Sequence, residues 1–208
     1  AHLRAPDGCP WDREQTHATL RPHLLEEAYE VVAALDAGEP AAMREEFGDL
    51  LLQIVLHAQI ASESGDFNMA DILQGIHVKI VNRHPHVFGD LRLKDVDGVL
   101  QNWEKLKAAE RLANGKAEAS LLDSVPLALP ALAQADQYQR RAARVGFDWT
   151  DIAGVLDKVG EEIAEVRSAP DARSRGQELG DLFFALVNLT RWYELDAETL
   201  VREANARF

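Results

Sequence analysis

One acidic pattern occurs twice in this chain, each time on a stretch that is otherwise helical and apolar. Glu26-Glu27-Ala28-Tyr29-Glu30-Val31, followed by Glu46-Phe47-Gly48-Asp49-Leu50, returns as Glu161-Glu162-Ile163-Ala164-Glu165-Val166, followed by Glu178-Leu179-Gly180-Asp181-Leu182. The chain therefore carries ExxE…ExxD twice. Three residues advance a helix by nearly one turn, so each i,i+3 pair of carboxylates shares a helix face. Two such helices side by side gather four carboxylates, whose mutual repulsion calls for a hard divalent cation between them. An all-oxygen ligand set favours Mg²⁺ over zinc.

The neighbours of these acids sharpen the expectation. Phe47 to Ala61, FGDLLLQIVLHAQIA, is apolar around most of its circumference, and such a helix is expected to be buried. Leu179 to Leu189 gives Asp181 the same setting. Asp49 and Asp181 are thus expected where water is scarce, and an ionised carboxylate there costs several kcal/mol unless it is paired or metal-bound. No Lys or Arg lies between Phe47 and Ala61 to pair with Asp49.

Helical periodicity dominates the rest of the chain, and the short runs that resemble strands lack alternation and turn signals. The apolar stripe Leu24, Ala28, Val31, Val32, Leu35 marks a first helix ended by Gly38 and Pro40. Further helices are expected over about 41–64, 69–82 and 97–114, with Arg83 to Asp90 breaking the pattern. Residues 115–130, with Pro126 and Pro130, read as a linker between an N-terminal domain, 1–114, and a C-terminal domain, 131–208. In the latter, helices are expected over about 131–144, from a cap at Thr150 to Ala169, over 173–193, and over 197–207 after a cap at Asp196. The reading is an all-α fold, a tandem repeat of helical units. A lone helix pair cannot bury both apolar faces, so a four-helix-bundle core, completed by other helices or by a second chain, is expected.

The 208 residues suffice for such a core. A net charge of -13 argues against nucleic-acid polymers and anionic membranes as partners. Cys9 is the only cysteine, which excludes an internal disulfide and a zinc finger and suits a reducing compartment. No membrane-length apolar run or leader is visible, so a cytoplasmic location is expected. Ala1 stands where Met would open a natural chain, and both ends are read as provisional.

Together, CPWDREQTH at Cys9 to His17, LLEEAYEV, EEFGDLLLQ, NRHPHVFGD, LQNWEKLK, VGFDW, ELGDLFFALVNL and EANARF resemble the MazG family of nucleoside triphosphate pyrophosphohydrolases, of the all-α pyrophosphatase superfamily. The resemblance covers nearly the whole chain. It implies Mg²⁺-dependent hydrolysis of nucleoside triphosphates to monophosphate and pyrophosphate, broad base tolerance, a house-cleaning or pool-regulating role and a homodimer. Carried over position by position, the metal ligands are Glu27, Glu30, Glu46 and Asp49 in the first half and Glu162, Glu165, Glu178 and Asp181 in the second. Mn²⁺ is the expected substitute. Glu26 and Glu161 are candidates to orient or deprotonate the attacking water.

The halves differ in polar furnishing. Asn188, seven residues after Asp181, returns to nearly the same helix face, where Leu56 stands in the first half. Lys158 precedes Glu162 by four residues and is a candidate for phosphate contact, where His23 stands in the first half. Trp149 is a candidate for stacking on a base and Arg207 for phosphate contact. The second half is thus expected to be the main site. Glu203 stands where the family carries a basic residue. His84 and His86, around Pro85, read as a loop held by imidazole hydrogen bonds rather than as metal ligands. A di-iron bundle is the rival enzyme class, but it requires ExxH pairs, and all four acidic pairs here end in Glu or Asp. A non-enzymatic alternative is a helical metal-binding or dimerisation module with vestigial acidic sites.

Overall fold

The computed structural model describes residues 1–93, 95–113 and 121–208. Every regular element among them is helical, so the all-α expectation holds. The chain divides into two compact units, Ala1–Ala109 and Glu110–Phe208. Residues 115–120 of the expected linker lie outside the described residues, and 121–130 form turns.

The first unit opens on a short turn, His2–Arg4, and a one-turn helix α1, Pro10–Glu14. Gly8 sits where an added Cβ would collide with the Leu3 carbonyl oxygen, so only glycine admits this close turn. Helices α2 (His17–Ala37) and α3 (Pro40–Ser64) then form an antiparallel hairpin. Thr16 and Thr19 close a reciprocal capping box at the start of α2, which extends that helix upstream of the Leu24 stripe. Gly38 and Gly65 end α2 and α3 in the left-handed conformation, at φ 70° and 78°. Helix α4 (Met69–Arg83) packs on α3, and one-turn α5 (Pro85–Phe88) on α4. Helix α6 spans Val96–Ala113. His84 bonds the Ile80 carbonyl at 2.7 Å and meets Trp103 edge-on, as expected of a loop held by imidazole hydrogen bonds, whereas the buried His86 Nδ1 has no such partner.

In the second unit α7 (Ala131–Arg144) and α10 (Ala197–Arg207) pack against α9 (Ala172–Trp192), which forms a hairpin with α8 (Ile152–Ser168). Ala135, Val187 and Ala197 form its core, with Leu132 against them. Asp196 caps α10 as expected, but α8 is capped by Asp151, which accepts from Gly154 N–H, and not by Thr150. A carboxylate one position later offers the stronger acceptor for the helix N-terminus.

The expected burial of the acid-bearing helices is also corrected. Helix α3 is not buried around its circumference: only Gln53, Leu56, Ala58 and Ala61 are, while Phe47 and Leu51 remain half exposed. In α9, Phe183 is 60% exposed. Asp49 and Asp181 accordingly reach solvent. A two-helix hairpin covers one stripe of each helix, and the remaining apolar stripes of α3, α4 and α9 stay open within their own unit.

Candidate metal and nucleotide site

Each hairpin gathers its acids. In the first unit, carboxylate oxygens of Glu27 on α2 and of Glu46 and Asp49 on α3 all lie within 4.8 Å of one another. In the second, Glu162 on α8 converges with Glu178 and Asp181 on α9 within the same limit. Glu30 and Glu165, one turn along α2 and α8, stand outside these triads but act on them electrically. Burial, then Glu30 and Asp49, raise the Glu27 carboxyl above its ordinary value, against a smaller opposing bond from Gln53. Burial and the Glu162 and Glu178 charges raise Glu165 likewise, and burial with Glu30, Glu45 and Asp49 raises Glu46. Crowded carboxylates that hold protons more tightly than usual are the electrostatic mark of a site that gains from a cation.

The second cluster carries a sharper sign. Glu162 is only 3% exposed; its Oε1 accepts from Lys158 Nζ at 2.7 Å, and its buried Oε2 has no hydrogen-bond partner. An ionised oxygen left bare in the interior costs free energy that a bound cation would offset, so the residues present fit Mg²⁺. Lys158 also holds Glu161 at 2.9 Å, and the two carboxylates raise its ammonium well above the ordinary lysine value. The side chain expected to meet phosphate is thus engaged on both acids beside the cluster.

An open cleft of about 430 Å³ adjoins this cluster, lined by Lys158, Glu162, Glu165, Asp181, Trp149 and Asn188 among others. A second, more apolar cleft of about 560 Å³ shares Trp149, Phe184 and Asn188 with it and adds Phe147, Tyr138 and Gln139. Arg207 lines neither cleft; it faces Glu203 of its own helix at 3.9 Å. In the first unit, Glu26 is exposed and its carboxylate lies 3.5 Å from His23 Nδ1.

Sequence reasoning missed three contributors. Gln53, buried on α3, donates to Glu27 at 3.5 Å. Asp148 and Arg191 form an ion pair across 43 positions. Gly154 admits the Trp149 ring, because a Cβ there would lie 2.7 Å from Trp149 Cε3. Nothing local in the sequence points to the second; a glycine in the first turn of a helix is the available signal for the third.

The fold and site define an all-α protein with two carboxylate clusters suited to a hard divalent cation. The model of the MazG nucleotide pyrophosphohydrolase domain matches residues 15–88. Over 206 residues, 99% of this chain and 78% of the relative, the sequence is 44% identical to the nucleoside triphosphate pyrophosphohydrolase/pyrophosphatase MazG of Thermotoga maritima. It is 46% identical over 212 residues to the nucleoside triphosphate pyrophosphohydrolase of Escherichia coli K12, covering 80% of that protein. It is also 46% identical over 210 residues to YabN of Bacillus subtilis, an uncharacterised protein of which it covers 42%. The chain belongs to the MazG family.

Proposed function

We propose that this chain hydrolyses nucleoside triphosphates to monophosphate and pyrophosphate, with Mg²⁺ as its cation, Mn²⁺ as a substitute and broad tolerance of the base. The observation that carries the reading is the bare, buried Glu162 Oε2 within a triad of carboxylates beside a nucleotide-sized cleft. The names of the relatives agree with it. Glu162, Glu165, Glu178 and Asp181 would hold the Mg²⁺, which when bound supplies neutralisation of phosphate charge and acidification of a water. Glu161, fixed by Lys158, orients or deprotonates the attacking water. Trp149 offers a ring face to the base and Asn188 a polar contact to the nucleoside.

Glu27, Glu30, Glu46 and Asp49, with Glu26 as the matching base, form a second, weaker site. Each half acts as one MazG-like helical domain, 1–114 and 131–208. The open apolar stripes of α3, α4 and α9 support a homodimer. No helix among the described residues is long and apolar enough to cross a membrane, which accords with a cytoplasmic role in house-cleaning or pool regulation.

The test is a panel of canonical and modified triphosphates with Mg²⁺, resolving pyrophosphate from orthophosphate. Pyrophosphate as the primary product is expected. Orthophosphate as the primary product would sink the reading.

A further inference from the structure

Arg191 and Asn188 lie on α9, and Asp148 lies in the loop before α8. Arg191 Nη1 and Nη2 donate to the two Asp148 carboxylate oxygens at 2.9 and 2.5 Å. Its Nε and Nη2 donate to Asn188 Oδ1 at 3.0 and 2.7 Å. Trp192 Nε1 adds a longer bond to Asp148 at 3.4 Å. The Arg191 side chain is 12% exposed and that of Asp148 24%. A guanidinium only donates, so the end of Asn188 that meets it must be the carbonyl oxygen. The group left to face a ligand is the Nδ2 amide. Asn188 lines both clefts, at the seam between the acidic one and the apolar one.

We infer that Asp148 and Arg191 lock Asn188 as a hydrogen-bond donor that recognises an acceptor on the nucleoside part of the substrate, with Arg191 a positioning residue acting through Asn188. The inference rests on the triphosphate reading above. The acceptor is either a base carbonyl or ring nitrogen, or a sugar oxygen. A free asparagine offers donor and acceptor alike and selects neither; a locked one leaves an incoming donor group facing another donor, which is how a polar contact discriminates. The Asp148–Arg191 fork is bidentate and largely shielded from water, the geometry in which arginine fixes a neighbour best. Gln139, which lines the apolar cleft, donates to the Phe184 carbonyl at 2.8 Å, and its Oε1 is buried without a partner.

The test measures binding, with Mg²⁺, of a nucleoside triphosphate whose α,β bridge is an imido group, so that it reads the contact whether or not the chain hydrolyses anything. Asn188→Asp keeps the shape and the Arg191 bonds but removes the donor; about tenfold weaker binding is expected. Inorganic tripolyphosphate should bind both forms equally, and an equal loss for it would reduce the effect to added negative charge and overturn the inference. Arg191→Ala should cost about as much as Asn188→Asp, and the double variant no more than either. Additive losses, or wild-type affinity in Arg191→Ala, would overturn the positioning role. Arg191→Lys, which keeps the charge facing Asp148, replaces Arg191→Ala if that variant does not fold and should lose part of the affinity; unchanged affinity again overturns it. A loss that vanishes with the 2′-deoxy analogue assigns the contact to the sugar, and one that vanishes with a base-free ribose triphosphate but persists with the deoxy analogue assigns it to the base. Absence of pyrophosphate release with these binding results intact would count against the hydrolytic reading alone.

Discussion

Lys158 Nζ lies 2.7 Å from Glu162 Oε1, one helical turn away, and gives the buried carboxylate its one hydrogen-bonded oxygen. The pair is asymmetric in environment: the glutamate side chain is 4% exposed and the lysine side chain 36%. Removing the lysine leaves a charged group in the interior with neither oxygen satisfied, and truncating one partner of a buried pair typically costs about 3–5 kcal/mol; the exposure of Lys158 puts the expected loss at the lower end or below. Lys158→Met should therefore lower the melting temperature of the second unit and weaken triphosphate hydrolysis. The double variant Lys158→Met/Glu162→Gln should regain part of the stability but none of the activity. Thermal melts and kinetics on both variants check this.

A cation that binds only the folded chain raises its melting temperature by mass action. Millimolar Mg²⁺ should do so here, and Glu162→Gln or Asp181→Asn should abolish most of the response and cut hydrolysis by orders of magnitude. The same amides at Glu27 or Asp49 should cost less, because Lys158, Asn188 and Trp149 line the cleft beside the second cluster. Calorimetric melts with and without Mg²⁺ on all four variants rank the two sites.

His17 and His57 bring their Nδ1 atoms to 2.7 Å, so one proton serves both rings. Burial, then the neighbouring imidazole, lowers the His57 value below 6.5. A base whose folded value is depressed contributes no destabilisation above its unfolded value; stability falls as pH drops from the unfolded value toward the folded one, and the loss levels off below that. The α2–α3 hairpin should therefore lose stability below about pH 6.5. His57→Gln should flatten the melting temperature between pH 7.5 and 5.5; an unaltered slope would remove the pair from the account.

What the sequence disclosed follows from range. The acidic faces were legible because an i,i+3 or i,i+4 relation is fixed by helix geometry before any tertiary contact forms, while the hairpins decide which of those acids meet, and they leave Glu30 and Glu165 outside the triads. The Lys158 to Glu162 spacing carried the same information, yet a phosphate was read as the lysine's target where the structure supplies two carboxylates. Asp148 with Arg191 was not legible, since only the return of α9 past the loop before α8 brings them together. The exposure of Phe47, Leu51 and Phe183 was misread because periodicity reports which faces are apolar, and not which of them one chain can cover.

Glu63 binds Arg4 through Nε and Nη2 at 3.0 and 2.7 Å, while Arg4 also reaches the Asp12 and Gln15 carbonyls. This clasp ties the first fifteen residues to α3. The Arg4 bonds, then Gln59, lower the Glu63 carboxyl to about 2, so its contribution is present above the ordinary value of 4.5 and is lost as pH falls from there toward 2. Glu63→Gln at neutral pH should reproduce the acid state, with faster proteolytic cleavage after Arg13 and little change in the melting of the second unit. Equal cleavage rates at pH 7 in both proteins would show that the clasp does not hold the segment.

Gly154 and Trp149 give a prediction in which two effects oppose each other. Alanine in place of a helical glycine gains about 1 kcal/mol from backbone entropy. Against that, the new Cβ would sit 2.7 Å from Trp149 Cε3, a separation that cannot persist. Trp149 is 44% exposed, so its ring can swing outward at small cost and leave the helix its gain. Gly154→Ala should then be as stable as the parent or slightly more so, yet bind nucleotide more weakly, because Trp149 lines both clefts. In a background with Trp11, Trp103 and Trp192 replaced by Phe, the emission of Trp149 should shift to the red and KM should rise several-fold with kcat little changed. A stable variant with unshifted emission and unchanged KM would mean that Trp149 has no part in holding the nucleoside.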